Sequence, residues 1–188
     1  MKRILLIAFV CLFSTINAQN NISIINEEFN DISIPNGWYT AGNGVNNWYV
    51  SESFSAGGKP NEMQLSYTPM FNGIARLVSP SVDLTNINNA ILSLNLYVTL
   101  FGNKGVTIGV ATSSANGVTW NSVWSEKYTE NNKQYSVVES ISGPDMGKSD
   151  VRFCIYFEGN SSAFVGLYFD NFKVYIIENV GIETTSID

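Results

Sequence analysis

The chain has 188 residues, with 10 Lys and Arg against 16 Asp and Glu, a net charge of −6 and no histidine. The missing histidines exclude Ser-His-Asp and Cys-His nucleophilic chemistry and His-based zinc sites, and an acidic surface repels phosphate backbones, which argues against nucleic acid as a partner. The length suits one domain with a core of its own.

Lys2 and Arg3 precede an apolar run from Ile4 to Phe13, and Ser14 to Ala18 close it with small and polar residues before Gln19. This is the layout of a cleavable signal peptide over residues 1–18. The run falls short of the roughly 20 apolar residues of a membrane span, and no later stretch comes near that length, so no membrane span is expected. Val10 stands where a lipidated Cys11 would need a small residue, so cleavage after Ala18 is expected instead. Loss of Lys2 and Arg3 leaves 8 basic residues against 16 acidic ones, a net charge of −8. Cys11 leaves too, and Cys154 alone cannot form an intrachain disulfide in an oxidising destination. It reads as a small buried hydrophobe.

The rest of the chain reads as short alternating apolar runs broken by Gly, Asn, Ser and Pro, with no 3.6-residue period. Strands are predicted near 22–29, 47–52 and 74–79. Leu92, Leu94, Leu96 and Val98 alternate with Ser93, Asn95 and Tyr97; Val106, Ile108 and Val110 follow within 105–113. Asn116-Gly117 fits a type I′ turn, which needs positive φ at both central positions, and would join 105–113 to 118–126 as a hairpin. Further strands are predicted at 134–141, around Val151, Phe153, Ile155 and Phe157, and at 164–177. Segments 40–47, 55–62 and 143–149 read as loops or turns. Nine or ten strands without a helix predict an all-β, two-sheet antiparallel sandwich over 19–178, with 179–188 a tail or linker.

Several segments together resemble a known pattern: Glu28-Phe29-Asn30-Asp31 followed by Ile34-Pro35-Asn36-Gly37-Trp38; Asn47-Trp48; Leu77-Val78-Ser79-Pro80 through Leu84; Leu92-Ser93-Leu94; Thr112 to Trp120; Val151-Arg152-Phe153; and Gly166-Leu167-Tyr168-Phe169-Asp170-Asn171-Phe172. In order and spacing they resemble the cleaved-adhesin, or choice-of-anchor J (MAM-like), domains of Bacteroidetes secreted and surface proteins. The resemblance covers Glu28 to Tyr175 and implies a jelly-roll topology of the concanavalin or galactose-binding kind. It also implies a secreted or cell-surface module that binds an extracellular protein or glycan. Val180-Gly181-Ile182-Glu183 resembles the linker ahead of a type IX sorting domain, whose Tyr-Pro-Asn-Pro segment is not in this sequence.

Parity along the last predicted strand places Asp170 with Tyr168, Phe172, Val174 and Ile176, so a carboxylate would point inward. A buried carboxylate must be paired, ligated or protonated. The resemblance implies a structural Ca²⁺ where the first and last strands meet, held by Glu28, Asn30, Asp31 and Asp170, an oxygen set suited to a hard cation. Asn30 stands where the family commonly has an acid, which removes a charge. The alternative is that Asp170 pairs with Arg76 or Arg152 or caps backbone N–H groups. Gly42 to Asn47 has no carboxylate, and no metal is expected there. Among the aromatics, Trp38, Trp48 and Trp120 are expected to pack at loop edges, and Trp124 and Tyr128 are the candidate ligand-binding platform of a carbohydrate-binding module. No Glu-x-Asp-x-x-Glu pattern of a two-carboxylate glycosidase occurs, and Glu27 and Glu28 point to opposite faces, so the domain is expected not to be an enzyme. A structural or accessory envelope role is the remaining alternative.

Overall fold

A computed structural model of the chain describes residues 18–102 and 104–180. The expected signal peptide, apart from Ala18, and the tail beyond Val180 lie outside the described residues. Eleven strands follow in order: β1 (Ala18–Glu27), β2 (Tyr39–Gly42), β3 (Trp48–Ser51), β4 (Glu62–Ser66), β5 (Asn72–Val78), β6 (Asn89–Leu100), β7 (Val106–Ser113), β8 (Asn121–Tyr128), β9 (Lys133–Ser142), β10 (Arg152–Asn160) and β11 (Phe164–Val180). Single 3-10 turns occur at Val45–Asn47 and Ser161–Ala163.

The strands form two antiparallel sheets. One runs β3-β4-β11-β6-β9, with β1 paired to β11 as a sixth strand; the other runs β2-β5-β10-β7-β8. The long β11 makes this arrangement possible, since β4 pairs with Gly166–Phe169 and β1 with Phe172–Val180. This is the two-sheet antiparallel sandwich expected from the alternation, with the jelly-roll topology that the resemblance implies.

The period of two builds the core directly. Leu92, Leu94, Leu96 and Val98 of β6 face Val106, Ile108 and Val110 of β7 and Phe153, Ile155 and Phe157 of β10 in one buried cluster, joined by Leu167, Phe169, Phe172 and Val174 of β11. Fully burying such a side chain stabilises by about 1.5–3 kcal/mol relative to exposing it. Packing therefore carries a fold whose Cys154 is free and buried.

Two strands were not anticipated. β2 is only four residues, and β4 begins at Glu62, the last residue of the segment that reads as a loop, with its polar members Glu62 and Gln64 buried beside Met63 and Leu65. β1 begins four residues before the expected strand, β8 begins at Asn121 rather than at 118, and β11 reaches Val180, past the expected start of the tail.

Candidate ligand-binding face and cation site

The outer face of the five-stranded sheet carries a shallow depression of about 160 Å³ lined by Ile74, Arg76, Ala111, Trp120, Ser122, Tyr156 and Glu158. Its floor is set by a small residue. A Cβ on Gly109 would lie 2.5 Å from the Tyr156 ring, so only glycine lets that ring lie against β7. The Tyr156 hydroxyl is 3.1 Å from Ser122 Oγ. Trp120 is oriented by its own hairpin, its Nε1–H donating to the Gly117 carbonyl at 2.9 Å.

The hairpin is as the Asn116-Gly117 pair predicts: φ is +51° and +80° at the two residues, and Val118 N–H donates to the Ala115 carbonyl at 3.1 Å. Its base is clamped by Asp145, which is buried and accepts from Thr112 Oγ1 at 2.9 Å, Ser114 Oγ at 2.6 Å and Asn121 Nδ2 at 2.9 Å. Burial alone would raise this carboxyl, but hydrogen bonds from Ser114, Asn121 and Thr112 outweigh it and bring its pKa down to about 2. The 143–149 turn thus supports the edge of the depression.

Two cations complete this face. The Arg76 guanidinium lies 5.5 Å from the centroid of Trp120, and that of Arg152 lies 5.8 Å from the centroid of Tyr39, which is 39% exposed. Neither forms a salt bridge among the described residues, whose ion pairs are Lys133–Glu130, Lys148–Asp145 and Lys173–Glu28. The Nε atoms of both arginines are buried without a hydrogen-bond partner. Under them sit Cys154, Val78 and Ala111, a small apolar cluster against which Trp120 and Tyr156 pack. Burial pushes the Cys154 thiol up to about 12, so it is an inert filler, as the sequence suggests.

The expected platform residues fall elsewhere. Tyr128 is 2% exposed, tilts against Tyr135 at 4.5 Å between centroids and donates to Glu126 Oε2. Trp124 is half-buried against the main core. The cause is a register shift in which Val110 pairs with Trp124 but Ala111 with Ser122, so the bulge turns Trp124 inward with Val110. Trp38 and Trp48 are core residues, whereas Trp120 is the one that reaches this face.

Asp170 is fully buried, but not between the sheets. Leu167 and Phe169 enter the core, and a bulge then lets Phe172 and Val174 return to it: the register shifts between Asp170 and Lys173, and Asn171 has φ +51°. Asp170 therefore lies on the outer face of the six-stranded sheet, level with Tyr168 but not with Phe172. The 53–61 segment covers it. Glu62, also fully buried, holds that segment by accepting from Ser53 Oγ at 2.5 Å, Ser55 N–H at 2.8 Å and Ala56 N–H at 2.7 Å. Gln134 Nε2 ties the segment across the sheet to the Ala56 carbonyl at 2.8 Å. A Cβ on Gly58 would collide with Asp170 Oδ2.

The Asp170 carboxylate accepts from its neighbour's Asn171 N–H at 2.7 Å and makes no pair with Arg76 or Arg152, which lie on the opposite sheet. Burial, with Glu62 and Glu28 adding repulsion, pushes its pKa up to about 7. Asn30 Oδ1 is buried and unpartnered, while its amide donates to Glu28 Oε2 at 3.0 Å and its carbonyl accepts from Asn61. Asp31 is exposed. Among the described residues, no three His, Cys, Asp or Glu side chains converge on a common point, so the four-residue set implied by the resemblance is not assembled as such. The groups in this region suit a hard cation in part: a buried carboxylate short of donors, an orphaned amide oxygen on Asn30 and a cover in which Gly58 lies against Asp170. Glu62, which sequence reasoning passed over as loop, is the residue that builds that cover.

No protein-family model and no curated protein matches this chain. Solved structures do. The K3 cleaved adhesin domain of Lys-gingipain from Porphyromonas gingivalis superposes with a TM-score of 0.57 at 14% identity, over 84% of this chain and 99% of that one. The xylan-binding CBM22-1 domain of Xyn10C from Paenibacillus barcinonensis gives 0.55 at 16%, over 87% and 99%. An arabinose-bound α-L-arabinofuranosidase gives 0.60 at 14%, over 81% of this chain and only 26% of the enzyme. The chain is similar in fold to cleaved adhesin and carbohydrate-binding domains. No helix among the described residues is long and apolar enough to cross a membrane.

Proposed function

We propose that this protein is an exported, non-catalytic module that binds extracellular glycans on the outer face of its five-stranded sheet. One observation carries the reading: Gly109 and the Gly117 carbonyl set the Tyr156 and Trp120 rings into one solvent-facing depression, where a pyranose ring could stack and Ser122 and Glu158 could accept its hydroxyls. A larger depression of about 380 Å³ lies on the six-stranded sheet, but Asn21, Ser23, Asn26, Ser93 and Lys173 give it one aromatic wall, Tyr175. A sugar would have less to stack on there. The similarity in fold to a xylan-binding domain supports the reading without naming the sugar.

The test is a glycan array, with an extracellular-matrix protein panel beside it, probed with the chain from Gln19 onward. The reading expects glycan binding that Trp120→Ala and Tyr156→Ala each reduce about tenfold or more, the scale of a lost stacking anchor. Binding to proteins alone, or glycan binding indifferent to both changes, would sink it.

The proposal includes a structural Ca²⁺ under the 53–61 segment, held by Asp170, Asn30 Oδ1 and Glu28. The ion would neutralise a carboxylate that the fold buries without a cationic partner. Asp31 is left out of this set because it faces solvent. A metal bound only by the folded chain raises its stability by mass action. Tm should rise with millimolar calcium and fall with chelator, and Asp170→Asn should abolish the difference. An unchanged Tm would remove the ion from the account.

A further inference from the structure

The exported chain has a net charge of −8, yet its only two arginines, Arg76 and Arg152, stand on the same sheet face, Arg76 lining the depression and Arg152 four residues along β10 from Tyr156, beside Tyr39. Each is stacked over an aromatic ring and lacks a carboxylate within salt-bridge distance among the described residues. On an acidic protein this is an unexpected vacancy, because no Asp or Glu among the described residues closes on either guanidinium. Stacking fixes the guanidinium plane, and a fixed fork matches a carboxylate or sulfate better than a neutral hydroxyl.

Resting on the glycan-binding reading above, we infer that the ligand is an acidic glycan, a uronate-bearing or sulfated chain, whose anion is taken by Arg76 while Trp120 and Tyr156 carry the ring, with Arg152 as a second cation further along the same face. Glu158 is the opposing group. It is exposed at the Ile74 end of the depression, opposite that residue in the β5–β10 ladder and two residues along β10 from Tyr156. An acidic chain must therefore bind with its anions toward Arg76 and away from Glu158, which gives it one polarity along the face. The −8 background disfavours non-specific adhesion of polyanions, so recognition has to come from the cations of this face, Arg76 first.

Calorimetric titration with oligogalacturonate, its methyl ester and a sulfated galacto-oligosaccharide tests this, because the ester keeps the sugar and removes the charge. An acidic ligand should bind about tenfold or more tighter than the ester, the weight of a charge-assisted bidentate contact. The acid that binds, uronate or sulfate, identifies the anion. Arg76→Gln should remove that preference and Glu158→Gln should strengthen it severalfold, whereas Lys133→Gln, the same charge loss on the opposite sheet, should leave it unchanged. Thermal melts of each variant separate lost binding from lost folding, and Arg76→Lys, which keeps the charge but not the fork, gives a second readout by falling between wild type and Arg76→Gln. Ester and acid binding equally, or a preference that survives Arg76→Gln, would overturn the acidic assignment and leave the glycan reading standing. Silence of every glycan, with neutral oligosaccharides included, would overturn both.

Discussion

At the scale of single residues, Asp145 is the side chain whose removal should cost most for its size. It is one acid serving Thr112, Ser114 and Asn121 from within a turn that reads in the sequence as a plain connection. Its folded pKa of about 2 lies below the ordinary 3.8, so its stabilisation is complete above about pH 4 and is lost as pH falls through about 2. Urea midpoints should therefore decline between pH 5 and pH 2 more in wild type than in Asp145→Ala. At pH 7 that variant should lose about 3 kcal/mol, because buried donors keep their desolvation cost without their charged acceptor. Equal pH profiles for the two would mean that the clamp is not this carboxylate. Cys154 makes the opposite case. With its thiol fully buried and pushed up to about 12, it should resist a thiol reagent in the native state and react only in denaturant; rapid native labelling would show that the apolar cluster beneath the arginines opens.

At the scale of elements, the hairpin and the bulges behaved differently towards sequence reasoning, for a physical reason. A type I′ turn needs two consecutive positive-φ residues, a demand so narrow that Asn116-Gly117 announces it. Gly117→Ala should cost about 1 kcal/mol, and because the Gly117 carbonyl seats the Trp120 indole it should also weaken ligand binding, read as a higher Kd with a melt shifted by only a few degrees. A bulge has no such signature. It adds one residue to one strand and reverses the parity of all that follows, so strict alternation along the last strand places Asp170 in line with Phe172, and nothing in the sequence marks the shift at Val110/Ala111 that turns Trp124 inward. The alternation of β6 and β10, which no bulge interrupts, was legible residue by residue. β4 was hidden because Glu62 and Gln64 look like loop polarity; their burial depends on a covering segment that only the tertiary fold brings over them. Trp120 and Tyr156 were likewise legible as aromatics but not as partners, since β8 and β10 meet only through β7.

At the scale of the whole molecule, the proposed cation site and the proposed ligand face are on opposite outer surfaces, with both sheets and the shared core between them. Close-packed interiors transmit strain only where an element has two alternative arrangements. The residues between the sites are strand interiors in continuous antiparallel ladders, such as the β10–β5 and β10–β7 registers. Linkage then requires that an ion which does not change the ligand face cannot change its affinity, however much it stabilises the fold. Calcium should accordingly raise Tm while the glycan Kd, measured well below the melting transition, agrees within about twofold with and without chelator, a coupling too small to count as allostery. A larger change in Kd would place a movable element between Asp170 and Tyr156. The 53–61 segment would be the first to examine, because Gln134 ties it to β9, and β9 pairs with the same β6 that backs the core.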